Sequence, residues 1–250
     1  KLCHAIAEHE YVKEEQVICT NGASELLYAF AAALKPKKAL LLEPGFAEYE
    51  AALSAVGCEI FYYPLGEEKG YALDLAYLEA LSDDLDMIIL CNPNNPTGRT
   101  AEPELMRKIV QKCAENSVYL VADECFNDFL LDAEQHALSG LLEAFPCLIL
   151  LRAYTKMFAV PGVRFGWCMT ADRTVIDGLY RAGQPWNVSV IAQACAVAAA
   201  NEPDWAAETA KRIAEERRFL SNGLAACGLT VFPGEANFLL FRSNDTGLHK

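Results

Sequence analysis

The sequence predicts an α/β protein in which a mostly parallel sheet of seven strands lies between layers of helices. Short apolar runs alternate with helical patterns along most of the chain. Most of these runs are continuously apolar, which is typical of parallel strands that are buried on both faces. Near residue 201 the alternation gives way to one long helical pattern and two short strands, which predicts the start of a smaller α+β domain.

Seven apolar runs predict the strands of the sheet. In chain order they are Val17–Thr20, Ala39–Glu43, Glu59–Pro64, Met87–Asn92, Val118–Asp123, Leu148–Arg152 and Val163–Thr170. Between the strands, apolar residues recur at helical spacing, as at Leu26, Leu27, Phe30, Ala31 and Leu34, and at Leu105, Met106, Ile109, Val110 and Cys113. This order of elements is typical of a doubly wound α/β domain.

We therefore expect a large domain over residues 1–200 and the beginning of a small C-terminal domain over 201–250. The small domain begins with a predicted helix from Asp204 to Ala226, followed by strands at Leu229–Phe232 and Asn237–Phe241. One helix and two strands make a poor independent core. The sequence is therefore expected to be a piece of a longer protein, without an N-terminal segment and without most of the small domain.

Composition narrows the class of protein. The net charge is −13 and basic residues are not clustered, which argues against nucleic acid or an anionic membrane as partner. No apolar run approaches the length of about 20 residues that a membrane span needs. The ten cysteines form no CxxC pair and the four histidines lack ligand spacing, so no metal site is expected. Unpaired cysteines in a chain of this size favour the cytoplasm.

The segment Ala153–Gly166 holds a lysine and an arginine eight residues apart, Lys156 and Arg164, joined by a Pro-Gly turn. A lysine at the end of a buried strand is desolvated, which favours a neutral amine that can form a Schiff base. An arginine fixed by a turn can direct its guanidinium at a phosphate. The alternative is a surface lysine and arginine that flank an ordinary strand–loop–strand.

The loop after the first strand, Asn21–Glu25, predicts a phosphate site. Gly22 allows close approach of the backbone, and the N–H groups of Ala23 and Ser24 open a helix. The hydroxyl of Ser24 adds a donor. Ser24 as a simple N-cap is an equally acceptable interpretation.

Two further strand ends carry side chains suited to a flat ring. Phe46 follows the second strand and can stack on a heteroaromatic ring, although it can also be plain core. The loop Cys91–Gly98 is held extended by two prolines, and it presents the amide of Asn95 as a donor to a phenolic oxygen. A purely structural proline-rich loop is the alternative.

Asp123 ends the fifth predicted strand. A lone buried carboxylate is unfavourable, so a cationic partner such as a protonated pyridine nitrogen is expected. The alternative is that Asp123 caps the next segment. Its neighbour Glu124 is expected to be the more exposed of the two.

Taken in order, these motifs resemble the class I/II aminotransferase family of fold-type-I pyridoxal-phosphate enzymes. The resemblance implies pyridoxal 5′-phosphate as cofactor, bound covalently by Lys156 and paired at its pyridine nitrogen with Asp123. Cofactor-binding roles are implied for Gly22, Ala23, Ser24, Phe46, Asn95, Asp123, Thr155, Lys156 and Arg164. It also implies a homodimer with sites at the subunit interface.

Within this family, several segments resemble the L-threonine-O-3-phosphate decarboxylases of the cobalamin pathway. They are Pro44–Tyr49, Gly57–Ile60, Pro93–Gly98, Asp123–Phe129 and Gln184–Ser189. The histidinol-phosphate aminotransferases are the next resemblance, and a cofactor-binding module without turnover is a further alternative. Either enzyme implies a small substrate that carries an amine and a phosphate.

The sequence departs from the family pattern at two positions. Phe126 stands where a tyrosine commonly donates to the cofactor, and Ala153 stands where a hydroxyl usually meets the phosphate. Thr155 is a candidate to replace that hydroxyl. An N-terminal tyrosine for the neighbouring subunit and a C-terminal arginine for the substrate carboxylate are expected outside residues 1–250.

Overall fold

A seven-stranded sheet forms the centre of the computed structural model, which describes residues 1–244. Its strands are β1 (Val17–Thr20), β2 (Lys38–Glu43), β3 (Glu59–Pro64), β4 (Met87–Cys91), β5 (Tyr119–Asp123), β6 (Leu148–Ala153) and β7 (Gly166–Met169). They lie in the order β1-β7-β6-β5-β4-β2-β3. The pairs β2–β3, β2–β4, β4–β5 and β5–β6 are parallel, whereas β7 is antiparallel to both β6 and β1. The predicted α/β fold with a mostly parallel seven-stranded sheet is confirmed.

Two strands differ from their predictions for local reasons. β7 begins only at Gly166, because residues Pro161–Val163 form a 3₁₀ turn and Arg164 adopts a left-handed backbone with φ 56°. β3 lies at the edge of the sheet, so its side chains Phe61 and Tyr62 are exposed rather than buried on both faces.

Helices cover both faces of the sheet. Their bounds are α1 (Leu2–Glu10), α2 (Ala23–Leu34), α3 (Ala47–Ser54), α4 (Pro103–Asn116), α5 (Ala133–His136), α6 (Tyr154–Met157), α7 (Arg173–Ala182), α8 (Val190–Ala200) and α9 (Pro203–Ala226). Helices α1, α4 and α8 share one apolar core with alternate sheet residues such as Leu120 and Leu150. Helices α2, α3 and α7 share the other, with Val121 and Leu151. Alternation of side chains along each strand therefore supplies two separate cores.

The C-terminal part contains the predicted long helix, α9, and a two-stranded antiparallel pair, β8 (Thr230–Val231) and β9 (Phe241–Arg242). The strands are shorter than predicted, since residues 237–240 are not in a strand. The Trp205 indole N–H donates to the Met157 carbonyl at 3.3 Å, so α9 contacts the end of α6. Residues 245–250 of the predicted small domain lie outside the described part, and the domain boundary at 200/201 stays a prediction.

Residues 1–244 contain neither a membrane-crossing helix nor a cluster of metal ligands. No helix there combines the length and apolar character required to cross a membrane. No three His, Cys, Asp or Glu side chains in that range are grouped so that they could hold a metal ion. All ten cysteines are free thiols.

Candidate active site

A single cavity lies at the carboxyl ends of the parallel strands, where loops from both halves of the sheet meet. Eight of the nine predicted cofactor residues line it: Ala23, Ser24, Phe46, Asn95, Asp123, Thr155, Lys156 and Arg164. The ninth, Gly22, lies beside Arg164 at the start of α2. Residues that are distant in sequence therefore meet at the sheet edge where α/β proteins commonly bind ligands.

Asp123 ends β5 with its carboxylate held by two donors. The hydroxyl of Tyr49 donates to Oδ2 at 2.7 Å, and the backbone N–H of Cys125 donates to Oδ1 at 3.0 Å. Burial raises the pKa of Tyr49 well above its ordinary value, and the Asp123 charge raises it further, so the phenol keeps its proton. The bond to Cys125 is a local contact two residues along the chain, and Asp123 does not cap the next helical segment, whose N-cap is Phe126. Within residues 1–244 no Lys, Arg or His side chain forms an ion pair with Asp123.

Glu124 is less exposed than Asp123, so the expectation that it is the more exposed of the two was wrong. It is 2% exposed, against 7% for Asp123. Its Oε2 accepts from Arg152 Nη2 at 2.8 Å and from Nε at 3.1 Å, and its Oε1 accepts from the Leu138 N–H at 3.0 Å. The local sequence does not reveal this burial, because the cation that balances Glu124 is Arg152 on the neighbouring strand β6, 28 residues away. The arginine directly after the apolar run of β6 was the available signal.

Lys156 lies on the one-turn helix α6, directly after β6. The expectation of a buried lysine was wrong: Tyr154, Thr155 and Met157 are buried, whereas Lys156 is exposed where it borders the cavity. A single helical turn cannot bury all its side chains, and this turn directs its apolar ones into the core. The Lys156 ammonium lies 5.6 Å from the centroid of the Phe126 ring.

Gly22, Ala23 and Ser24 form the start of α2 under the guanidinium of Arg164. Gly22 is the N-cap, with φ 97°, and no side chain caps the helix, so the alternative of Ser24 as N-cap is not what the structure has. A Cβ on Gly22 would lie 2.6 Å from Arg164 Nη2, which shows how closely the guanidinium covers the glycine. Arg164 Nη1 also donates to the Pro161 carbonyl at 3.2 Å.

This arrangement has the features of an anion site. The first N–H groups of a helix lack intrahelical acceptors and lie at the positive end of its dipole. Gly166, at the start of β7, approaches the same turn so closely that a Cβ would lie 2.5 Å from the Ala23 nitrogen. The fixed guanidinium and the helix start therefore face one small region together.

The two remaining predicted side chains border the same cavity. Phe46, the N-cap of α3, is half-buried and packs edge-on against Tyr49, with ring centroids 5.4 Å apart. In the following loop, the Asn94 amide donates to the Pro44 carbonyl and to Thr97 Oγ1, each at 3.1 Å. Asn94 is therefore occupied in tying two loops together, and Asn95 is the amide left at the cavity.

Sequence reasoning missed Tyr49 as a site residue. Tyr49 lies in the first turn of α3, three residues after the N-cap Phe46, and no helix was predicted there. It also missed Phe238, whose ring packs edge-on against Phe126 at a centroid distance of 5.1 Å. No local pattern links residue 238 to the cavity, because the contact depends on the path of the chain after α9.

The sequence profile of the family "Aminotransferase class I and II" matches residues 1–247. The chain belongs to this family. Threonine-phosphate decarboxylase of Salmonella typhimurium is 37% identical over 242 residues, covering 96% of this chain and 66% of the relative. A histidinol-phosphate aminotransferase of Nitratidesulfovibrio vulgaris is 31% identical, covering 97% and 65%. The chain thus spans about two thirds of the length of these curated relatives, 66% and 65%.

Solved structures give the same result for the fold. The histidinol-phosphate aminotransferase from Clostridium acetobutylicum superposes with a TM-score of 0.89 at 28% identity, covering 98% of this chain and 72% of that one. A decarboxylase from Sulfurospirillum multivorans superposes with a TM-score of 0.87 at 27% identity, covering 98% and 71%.

Proposed function

We propose that this chain is the cofactor-binding part of a pyridoxal-phosphate enzyme that acts on a phosphorylated amino acid or amine. The observation that carries the proposal is the cavity itself. It combines a buried carboxylate held by Tyr49 and Cys125, a lysine amine, and an anion cradle formed by Arg164 and the start of α2. These three groups suit the pyridine nitrogen, the aldehyde and the phosphate of the cofactor.

Each residue has a distinct part in holding the cofactor. Asp123 keeps the pyridine nitrogen protonated, since its buried carboxylate lacks a cation from the described chain. The Asn95 amide donates to the ring oxygen, and Phe46 packs on the ring face. Gly22, Ala23, Ser24 and Arg164 hold the phosphate, with Thr155 as a further hydroxyl at the cavity.

When bound, pyridoxal phosphate supplies an electron-withdrawing ring that stabilises negative charge on the carbon next to the substrate amine. Lys156 Nζ would hold the cofactor covalently and would be placed to move a proton at that carbon. The packed rings of Phe126 and Phe238 bring apolar surface without a hydroxyl to this part of the site.

For the reaction, we propose decarboxylation of L-threonine phosphate, on the strength of the 37% identity to the Salmonella enzyme. Transamination of histidinol phosphate is the second candidate, favoured by the 31% identity of the relative from Nitratidesulfovibrio vulgaris. The bond that breaks is set by how the substrate carboxylate and phosphate are positioned, not by the cofactor contacts.

Product analysis tests the reaction. The longer protein, loaded with pyridoxal phosphate, is mixed with L-threonine phosphate in the absence of a keto acid. Release of CO₂ with aminopropanol phosphate is expected. Formation of a keto acid with conversion of the cofactor to its amine form would make the protein an aminotransferase, and the absence of both would overturn the proposed substrate.

Borohydride trapping tests the cofactor site independently of the substrate. Reduction of the loaded protein is expected to fix the cofactor on Lys156, and Lys156→Ala is expected to abolish the adduct. Lys211→Ala, at an exposed position of α9, is the matched control and should leave it intact. An adduct on one specific lysine that persists in Lys156→Ala would overturn the assignment.

For its surroundings, we propose a cytoplasmic homodimer whose partners are small molecules, with neither nucleic acid nor membrane as a partner. The acidic net charge of −13 and the ten free thiols support this. Exposed apolar side chains at the start of α8 support the dimer.

A further inference from the structure

Two cysteines face each other between α1 and β1, away from the cofactor cavity. Cys3 is in the first turn of α1, and Cys19 is in β1 opposite Trp167 of β7. Their Sγ atoms are 3.8 Å apart and hydrogen-bonded. Both residues are half-buried, and neither belongs to the proposed cofactor site.

The hydrogen bond makes the two thiols chemically different. The hydrogen bond with Cys19 lowers the pKa of the Cys3 thiol to about 7. The same hydrogen bond, together with burial, raises the pKa of Cys19 well above its ordinary value. The lowered pKa favours the thiolate, which is the nucleophilic form, at Cys3, and the raised pKa favours the protonated thiol at Cys19.

Both thiols are accessible to solvent in part, since Cys3 is only half-buried and Cys19 lines a cleft. Cys19 lies in the wall of an open cleft of about 390 Å³ that is bordered by Tyr180 and Trp186. Two fully buried cysteines, Cys113 and Cys168, differ from the pair in exposure and in pKa. Cys168 is 0% exposed, and burial raises its pKa far above the ordinary value of a thiol. Burial likewise raises the pKa of Cys113, to about 12.

We propose that Cys3 and Cys19 form a reversible oxidation site, converted by hydrogen peroxide into an intramolecular disulfide that links α1 to β1. This assignment does not depend on the proposed enzymatic function. The pair has the arrangement typical of peroxide-sensitive cysteines, a reactive thiolate next to a resolving thiol.

The oxidation proceeds in two balanced steps. The Cys3 thiolate attacks one peroxide oxygen and the O–O bond breaks, giving a sulfenic acid and a hydroxide that takes a proton to become water. Cys19 sulfur then attacks Cys3 sulfur, the S–O bond breaks, and the departing hydroxide takes the Cys19 proton as the second water. Two thiols and one peroxide thus give one disulfide and two waters, with two electrons transferred to the peroxide.

The geometry needs only a small adjustment. A disulfide bond is about 2.05 Å long, so the sulfur atoms must approach from their present 3.8 Å. The link would join α1 to the strand that runs through Thr20 into the Gly22 turn.

Peptide mapping tests the site. The protein is treated with one equivalent of hydrogen peroxide at pH 7, the remaining thiols are blocked with N-ethylmaleimide, and the chain is cut with trypsin. Cys3 falls in the peptide Leu2–Lys13 and Cys19 in Glu14–Lys37, since trypsin does not cut between Lys35 and Pro36, and each peptide has a single cysteine. We expect one disulfide-linked pair of these peptides, with loss of two free thiols, reversed by dithiothreitol.

Variants distinguish the two thiols. Cys19→Ser should stop the reaction at a Cys3 sulfenic acid, trapped by dimedone, and Cys3→Ser should leave Cys19 reduced. Cys227→Ser, at an exposed cysteine, should leave the Cys3–Cys19 link unchanged. Oxidation of Cys227 with the pair still reduced would overturn the proposal, as would a dominant link from Cys3 to another cysteine or between two chains.

Discussion

At the scale of single residues, the site depends on a carboxylate that the chain keeps buried without a cation. Asp123 is satisfied by one phenol and one backbone N–H. Those two donors stabilise the charge in the absence of a ligand, and they leave the carboxylate able to attract one. Tyr49 is therefore as much a part of the site as Asp123.

Replacing Tyr49 with Phe should destabilise the cofactor-free protein by about 1.5–3 kcal/mol, the usual effect of losing a hydrogen bond to a charged group. Tyr28→Phe is the matched control. Its hydroxyl also donates to a carboxylate, Glu48 Oε2 at 3.1 Å, but on the surface, and its loss should cost under about 0.5 kcal/mol. Urea unfolding of both variants measures the difference. Equal losses would mean that the Asp123 bond contributes no more than an exposed one.

Gly22 is important for its close contact with Arg164 as well as for its positive backbone φ angle. Gly22→Ala introduces a Cβ at 2.6 Å from Arg164 Nη2, so the guanidinium must move. A charged hydrogen bond is worth about 1.5–3 kcal/mol, so the Kd of pyridoxal phosphate should rise about 10- to 100-fold. Gly57→Ala is the control, since Gly57 also has a positive φ but no atom within 4 Å of a new Cβ.

Both variants should lose stability from backbone strain, by about 1–2 kcal/mol, and only Gly22→Ala should bind the cofactor more weakly. Fluorescence titration with pyridoxal phosphate measures the affinity. An unchanged Kd for Gly22→Ala would remove Arg164 from the phosphate site.

Sequence reasoning located the chemistry of single residues better than their environment. Asp123 and Lys156 stand at strand ends that the apolar runs define. The burial of Glu124 and the exposure of Lys156 were both mispredicted, because each depends on what the neighbouring strand or turn places beside it. Burial of a charged side chain is decided by a partner, and the partner here, Arg152, is 28 residues away in the sequence.

At the scale of elements, Arg152 joins three parts of the fold. It contacts Glu124 after β5, Glu10 at the end of α1 at 3.3 Å, and Asp128 at 3.8 Å. Three carboxylates around one guanidinium would leave an excess of negative charge. Burial raises the pKa of Glu10 to about 7. The positive charge of Arg152 lowers this pKa, whereas the negative charges of Asp128 and Glu124 raise it further. Burial raises the pKa of Glu124 as well, so the cluster as a whole favours protonation of its buried carboxylates.

The Glu10 shift predicts a pH dependence of stability. Between its ordinary value of 4.5 and about 7, the folded protein binds more protons at Glu10 than the unfolded chain does. The Glu10 contribution to stability is therefore full below pH 4.5 and is lost as the pH rises to 7. Glu10→Gln removes this loss, so its stability relative to the wild type should increase by up to about 3 kcal/mol between pH 5 and 8, at 1.36 kcal/mol per pKa unit.

Chemical unfolding at both pH values measures this change, with Glu208→Gln on the exposed face of α9 as the control that should show no such trend. His9, the residue before Glu10 on α1, also titrates, and burial lowers its pKa. The wild type, Glu10→Gln and Glu208→Gln all contain His9, so the comparison between them does not depend on it. A stability difference between Glu10→Gln and the wild type that is constant from pH 5 to 8 would contradict the assignment.

The elements themselves were largely predictable, because parallel strands buried on both faces must be apolar throughout. The apolar runs do not show whether a strand is parallel or antiparallel to its neighbours in the sheet. β7 is antiparallel to its neighbours, and nothing in its composition distinguishes it from β6. The short β8–β9 pair was overpredicted for a related reason. Residues 238–240 are apolar although they form no strand, and Phe238 instead packs its ring on Phe126.

At the scale of the whole molecule, the strand order explains why the site forms where it does. Parallel strands place the loops after β2, β4, β5 and β6 at one edge, and the antiparallel β7 returns Arg164 to that edge at its own beginning. The sequence predicts this convergence only through the family resemblance. Periodicity identifies strands but does not order them in a sheet.

The surface at the start of α8 carries the proposed dimer contact. Val190 and Ile191 are 80% and 70% exposed, more than apolar residues of this size usually are in a single chain. If this surface is buried in a homodimer, Ile191→Glu places a charge in it without a partner, and burying such a charge is strongly unfavourable. Ile191→Glu should therefore convert a dimer into monomers at micromolar concentration. Leu131→Glu, at a site that is 68% exposed before α5, should leave the dimer intact. Light scattering gives the mass of each variant, and a dimer that survives Ile191→Glu would move the interface to another surface.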